Sequence, residues 1–145
     1  MTHGSVVAAL MTVALATPAL AQSPQPDVAQ WQGPRALADI NTLVGFGPRA
    51  MDVPGHRKTI EMIAAEMKKL GVTAREQSWN SNVADQKHAM TKVIASMYPE
   101  VKRRIILGTH YDSIILAYAD KYQPDAVMPG ANNSASGVAL LLETA

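Results

Sequence analysis

The stretch "RRIILGTHYDS", residues 103–113, decides the fold. Its continuous apolar run predicts a strand that is buried on both faces, as in sheets covered by helices. Side chains alternate along a strand, so His110 and Asp112 should share one face, with Tyr111 on the other. The pair would lie at the carboxyl end of the strand, where open α/β sheets bind their ligands.

The segments around this strand predict an α/β protein. A short helix after Pro34 and a longer one that ends before Gly71 follow from apolar spacing at helical intervals. The loop "GFGPRAMDVPGH" separates these helices. The predicted elements, in chain order, are helices at 34–44 and 56–71, strands at 72–79, 90–98 and 103–113, and a helix at 135–145. This order predicts a three-layer sandwich with helices on a mixed β-sheet.

His110 and Asp112 suggest two kinds of chemistry. An imidazole beside a carboxylate is the usual arrangement of a metal ligand and the acid that orients it. The same pair would also serve as a general base. The alternative is structural, because His110 could simply hydrogen-bond Asp112 to close the end of a strand.

A second motif, "PGANNSASGVALLLE" at 129–143, follows after a loop. It is a turn of small residues that leads into a helix, and Asn133 or Ser134 could cap that helix. Ser136 and Gly137 would allow close approach of the backbone. The helix N-terminus should face the same end of the sheet as His110. The alternative is an ordinary connection between a loop and a helix.

Together the two motifs resemble the zinc-dependent aminopeptidase family of co-catalytic exopeptidases, which also contains the animal glutaminyl cyclases. The resemblance covers residues 34–145 and includes "LVGFGPRAMDVPGH" before the longer helix. The stretch "KVIASMYPEVKRRIILGTHYDS" is similar to the cyclase branch in particular. The resemblance implies a zinc-exopeptidase-like fold, with 34–145 as the N-terminal part of a catalytic domain that is incomplete at its C-terminus.

The resemblance also implies roles for three residues. His110 matches a zinc ligand, Asp112 matches the catalytic carboxylate that orients it, and Asn133 takes the position of an aspartate that bridges two metals. An amide is neutral and a poorer bridge than a carboxylate. One zinc, two zincs, a weakened site and an inactive protein therefore all stay open. The other ligands and the general base are expected further along such chains.

Three functions follow from this reading. The first is a secreted zinc metallopeptidase of the aminopeptidase type that acts on a peptide substrate, with zinc polarising the carbonyl and activating the nucleophile. The second is a glutaminyl-peptide cyclotransferase of the same superfamily. The third is a catalytically inactive relic or binding module of this fold, favoured by Asn133. The 145-residue chain alone is expected to be inactive.

The N-terminus predicts export. Residues 1–21 contain no Lys, Arg, Asp or Glu and end in Ala-Leu-Ala, which is typical of a signal peptide cleaved before Gln22. The alternative is a membrane anchor, although the apolar run is short. Residues 22–33 would then be a linker, and the protein would be secreted or periplasmic, without a membrane partner after cleavage. A net charge of +1 gives no indication of a nucleic-acid partner, and the lack of cysteine excludes thiolate ligands.

Overall fold

The computed structural model describes residues 30–145, without the side chain of Val83. The predicted signal peptide and residues 22–29 of the predicted linker lie outside the described residues. Within this range three α-helices and two β-strands follow one another: α1 (Gly33–Gly45), α2 (Pro54–Lys69), β1 (Ala74–Val83), β2 (Gln86–Ala95) and α3 (Gly137–Thr144). A π-helical turn at Ala131–Ser136 precedes α3. None of the helices between residues 30 and 145 has the length and apolar character that crossing a membrane requires.

Helix α2 shows why the helical predictions hold. Pro54 stands in its first turn, where a missing backbone N–H costs nothing. Gly71 follows the helix with a φ of 74°, and its N–H donates to the carbonyl of Lys68 at 3.0 Å. The N–H of Val72 donates to the carbonyl of Met67 at 2.9 Å, which completes a Schellman motif. The predicted role of Gly71 is therefore confirmed.

The two strands form one antiparallel hairpin, paired from Ala74 opposite Ala95 to Val83 opposite Gln86. Ala84 and Asp85 make the turn with φ values of 48° and 62°. Two positive φ values define the turn whose twist matches that of the flanking strands. Strands are present at both predicted places, 72–79 and 90–98, and both continue further toward this turn. Residues 72–73 and 96–98 lie outside the observed strands.

The core lies where the three helices meet above one face of the hairpin. Helix α2 contacts both strands and α3, while α1 contacts α3 and the turn that precedes it. The central buried side chains are Leu43, Ile63, Met67, Ala135, Val138 and Leu142. On the surface, Arg35 of α1 forms an ion pair with Glu143 of α3, with Nη2 and Oε2 at 2.8 Å. The α/β class is thus confirmed for the described part of the chain.

The strand predicted at 103–113 is wrong for the described structure. These residues adopt no regular secondary structure, and Ile105 and Ile106 are 89% and 92% exposed. A strand needs a neighbour to receive its backbone hydrogen bonds, and the sheet within residues 30–145 consists of β1 and β2 alone. The apolar run also predicts burial of these side chains, and the described structure does not show it.

A loop carries the chain from Ser113 to the last helix. It is closed at its base by a short antiparallel bridge between Leu116 and Val127. Within it, the Asp120 carboxylate accepts hydrogen bonds from the backbone N–H groups of Tyr122 and Gln123 at 2.8 and 3.0 Å. The loop predicted at 114–130 is therefore present, and it returns the chain to the vicinity of His110.

Candidate metal site

His110 and Asp112 are in direct contact. Nδ1 of His110 lies 3.1 Å from Oδ1 of Asp112, and both side chains are 58% exposed. The contact expected from strand alternation is thus present, although the segment is not a strand. A carboxylate on Nδ1 leaves Nε2 as the nitrogen that faces outward to a ligand, which is the arrangement of an oriented metal ligand.

The turn at Ala131–Ser136 brings Asn133 to the same place. Asn133 interrupts the helical backbone with φ −109° and ψ 93°, and the peptide bond to Ser134 is cis. Both motifs contribute to one pocket of about 250 Å³, which is lined by His110, Asp112, Ser113, Ile114, Met128 and Asn133. The structure therefore brings together all three residues that the sequence singled out.

The prediction that Asn133 or Ser134 caps the last helix is wrong. Residues 131–136 precede α3 without a side-chain capping hydrogen bond. Instead, the buried hydroxyl of Ser134 donates to the backbone carbonyl of Asp112 at 2.7 Å. This bond fastens the turn that carries Asn133 directly to the segment that carries Asp112.

Arg49 is the residue that sequence reasoning missed. It comes from the loop between α1 and α2 and is 0% exposed. Its guanidinium donates to the carbonyls of Tyr111, Pro129 and Gly130 at 3.0, 2.9 and 2.7 Å, and to that of Leu43 at 3.2 Å. One signal in the sequence could have found it, namely a single cation inside the small and apolar run "GFGPRAM".

Burial and charge affect two side chains next to the pocket. Burial lowers the pKa of the Arg49 guanidinium, and the negative charge of Asp112 opposes that change. Burial also raises the pKa of Tyr111 to about 12, helped by the charges of Asp112 and Glu76. The negative charge of Asp112 therefore favours the cationic form of Arg49, against the cost of burying it.

The other two described histidines form hydrogen bonds away from the pocket. The hydroxyl of Tyr111 donates to the carbonyl of Thr91 at 2.7 Å, so it can only accept from Nε2 of His56, at 3.2 Å. His88 pairs with Asp52, with Nδ1 and Oδ2 2.8 Å apart. Neither histidine lines the pocket that holds His110.

The described residues fit one edge of a zinc site. His110 offers an imidazole nitrogen that Asp112 orients, and Asn133 offers an amide oxygen in the same pocket. Among residues 30–145 there is no cluster of three or more His, Cys, Asp or Glu side chains that could hold a metal ion. A zinc ion normally takes at least three protein ligands, so a complete site needs further donors.

Comparison with known protein families gives one match. Residues 92–145 match the model of Peptidase family M28. This segment contains both motifs and all three candidate site residues. None of the curated proteins matches the chain.

Solved structures resemble the chain over most of its length. A glutaminyl cyclase from Fimbriiglobus ruber is 28% identical, with a TM-score of 0.74 over 78% of this chain and 39% of that one. A Zn-dependent exopeptidase from Parabacteroides distasonis is 28% identical, with a TM-score of 0.71 over 78% and 40%. A leucine aminopeptidase precursor from Bacteroides thetaiotaomicron is 30% identical, with a TM-score of 0.74 over 81% and 42%. The chain thus spans well under half the length of these proteins, and its fold is part of theirs.

Proposed function

We propose that the whole protein is a zinc-dependent aminopeptidase of the superfamily of M28 zinc exopeptidases and glutaminyl cyclases, which the family model and the solved structures support. It would remove residues from the N-termini of peptides. The peptidase family model across residues 92–145 and the likeness to a leucine aminopeptidase precursor support this choice.

One observation carries the proposal. His110 is held by Asp112 at 3.1 Å in the pocket that Asn133 also lines. Nδ1 is engaged by the carboxylate, which fixes the tautomer and makes Nε2 the better donor to a metal. Since a pair that merely closed a strand end would need no such pocket, the metal-ligand interpretation is favoured.

Each of the three candidate site residues would have a different role in binding zinc. His110 would bind zinc, Asp112 would orient His110, and Asn133 would add a neutral oxygen where the resemblance implies a bridging carboxylate. When bound, zinc would supply Lewis-acid polarisation of the scissile carbonyl and activation of the nucleophile. The remaining ligands and the general base would have to come from outside the described residues.

Glutaminyl cyclisation is the second candidate, and a specific observation favours it. Asn133 stands where a metal-bridging carboxylate is expected, so the site is better suited to one zinc than to two. The resemblance implies that cyclases polarise a side-chain amide with a single zinc while the amine of the substrate attacks. The likeness to the Fimbriiglobus ruber glutaminyl cyclase supports this alternative.

The products formed from a peptide with N-terminal glutamine test the proposal. The full-length protein, loaded with zinc, would be incubated with such a peptide and the products identified by mass spectrometry. Free glutamine and a shortened peptide are expected from an aminopeptidase. A peptide that has lost ammonia at unchanged length would instead assign the cyclase.

A matched pair of variants ties the activity to the site. His110→Ala should abolish the reaction, whereas His88→Ala should retain it, because His88 also pairs with a carboxylate but lies outside the pocket. Equal activities of the two variants would contradict the assignment of His110. A full-length protein that turns over no peptide and binds no zinc would favour the inactive relic.

Location and substrate are part of the same proposal. Residues 1–21 would direct export and be removed before Gln22, so that the mature protein would act outside the cytoplasm on peptide N-termini. The neutral charge balance of the chain favours neither acidic nor basic peptides.

A further inference from the structure

A buried guanidinium joins the two motifs of the site. Arg49 is fully buried, and its side chain donates to four backbone carbonyls. Tyr111, one of the acceptors, stands between His110 and Asp112 in the chain, while Pro129 and Gly130 open the turn that carries Asn133. The guanidinium therefore contacts the backbone between His110 and Asp112 and the backbone that leads into the turn with Asn133.

We propose that Arg49 is a positioning residue that fixes the separation between His110 and Asn133, and thereby the geometry of the zinc site. The inference rests on the proposed zinc-dependent function. Arg49 does not line the pocket. It would affect a bound metal only through the backbone segments to which it is hydrogen-bonded.

The chemistry of the side chain supports a positioning role. Arginine presents five N–H donors in a rigid planar fork, and here the fork spans carbonyls from three separate segments. A lysine has three N–H donors, but all of them start from one nitrogen, whereas the bonds of Arg49 start from three separate nitrogens. Burying a cation is costly, but an apolar side chain at this position would leave four carbonyls without the donors that Arg49 supplies. The hydrogen bonds therefore tie the place of the guanidinium to the places of these carbonyls.

Two further hydrogen bonds connect Arg49, or the carbonyl that it holds, to the segments of the site. The N–H of Arg49 donates to the hydroxyl of Ser113 at 3.0 Å, directly after Asp112. The carbonyl of Gly130, which Arg49 holds, also accepts from the N–H of Ala135 at 3.1 Å and so closes the turn around Asn133. A shift of the guanidinium would move both motifs, and it would do so in the absence of metal.

The test uses Arg49→Lys in the full-length protein. The matched control is Arg104→Lys, because Arg104 also donates to backbone carbonyls, those of Met97, Tyr98 and Pro99, but is exposed. Three properties would be measured: amide hydrogen exchange of the metal-free protein, zinc affinity by competition with a chromophoric chelator, and the absorption spectrum of bound cobalt.

The expected result is local. Arg49→Lys should accelerate amide exchange in peptides that cover 108–113 and 129–135, weaken zinc binding by about 10–100-fold and alter the cobalt spectrum, as loss of outer-shell support does. Arg104→Lys should change none of the three. If Arg49→Lys fails to fold, Ser113→Ala, which removes the acceptor of the Arg49 N–H, should produce the same exchange changes to a smaller degree.

The outcomes separate this inference from the proposed function. Unchanged zinc affinity and an unchanged cobalt spectrum in Arg49→Lys would overturn the positioning role, even if the variant were less stable. Unchanged exchange in both segments would overturn it as well. If the parent protein bound no zinc, local acceleration of exchange would still support Arg49 as the residue that positions both motifs, while the zinc-dependent function would fail.

Discussion

Replacing Gly130 by alanine should destabilise the protein strongly, because the added methyl group would be unfavourable both for the backbone conformation and for the packing. Gly130 has a φ of 62°, in the left-handed region that residues with a Cβ avoid. An added Cβ would also lie 2.6 Å from Nη2 of Arg49, 2.7 Å from Cβ of Ser113 and 2.9 Å from the carbonyl oxygen of Asn133. These neighbours are held by hydrogen bonds or belong to the backbone, so they cannot move aside without disturbing the site.

The two costs can be given rough magnitudes. The left-handed conformation costs a residue with a Cβ about 1–2 kcal/mol, and overpacking a tight site costs about 1–3 kcal/mol more. Together they predict a loss of about 2–5 kcal/mol in the free energy of unfolding of Gly130→Ala. Urea denaturation of the full-length protein, followed by circular dichroism, would measure this loss.

Gly47→Ala is the matched control. Gly47 has a φ of 78°, but an added Cβ would meet no heavy atom within 4 Å. The two substitutions share the backbone cost and the loss of chain entropy in the unfolded state, so their difference isolates the close contacts at Gly130. We expect Gly130→Ala to lose at least about 1 kcal/mol more than Gly47→Ala. Equal losses would refute the conclusion that the turn is tightly packed around Arg49.

Two further predictions concern the site. Asn133→Asp in the full-length protein should raise the zinc content measured after dialysis, since a carboxylate offsets the repulsion between two dications where an amide cannot. His110→Ala should lower the zinc content, because it removes a ligand. An unchanged zinc content in Asn133→Asp would contradict a metal-facing role for position 133. Tyr111, whose pKa is raised from 10.0 to about 12, should contribute stability that is complete below about pH 10 and is lost as the pH rises through about 12. Spectrophotometric titration of the parent and of Tyr111→Phe would check this, because only the parent should show a tyrosine ionisation near pH 12.

The helices and the hairpin strands could be predicted because their signals are local. Apolar residues at helical spacing and Gly71 define α2 within a few residues of its observed bounds, and the alternating segments define both strands. The turn of the hairpin is harder to predict from the sequence. Ala84 and Asp85 adopt positive φ values without the Asn-Gly or Asp-Gly pair that usually marks such a turn. Strand pairing, and not the turn residues, sets their conformation.

The segment 103–113 shows a different limit. Its apolar run indicates burial, yet Ile105, Ile106 and Leu107 are exposed among the described residues. The composition of a segment indicates that its side chains should be buried, but it does not show which helices or strands would bury them. Secondary structure in a central strand depends on neighbours on both sides, and the sheet described between residues 30 and 145 ends with β2.

The residues that meet in the candidate site could be predicted from the sequence, but the side chain that holds their backbone could not. The spacing of His110 and Asp112 and the small-residue turn at Asn133 are visible in the sequence, and the structure brings all three to one pocket. Arg49 was missed because its burial depends on carbonyls that lie about 60 to 80 residues away in the chain. An arginine is usually exposed, and only the fold shows that this one is enclosed.

The charges around the pocket limit how a zinc site can be completed. Asp112 is the one carboxylate among the residues that line the pocket, and its negative charge is opposed by the buried cation of Arg49. Asn133 adds a donor oxygen without charge. A dication placed beside His110 would therefore find little net negative charge in the described part of the site, although neutral imidazole can bind it. Carboxylates among the donors that complete the site would supply the missing negative charge, and a second zinc would need more of them than the first. We therefore expect the parent protein to bind one zinc more readily than two, and one negative charge added at position 133 should change the number of metals bound.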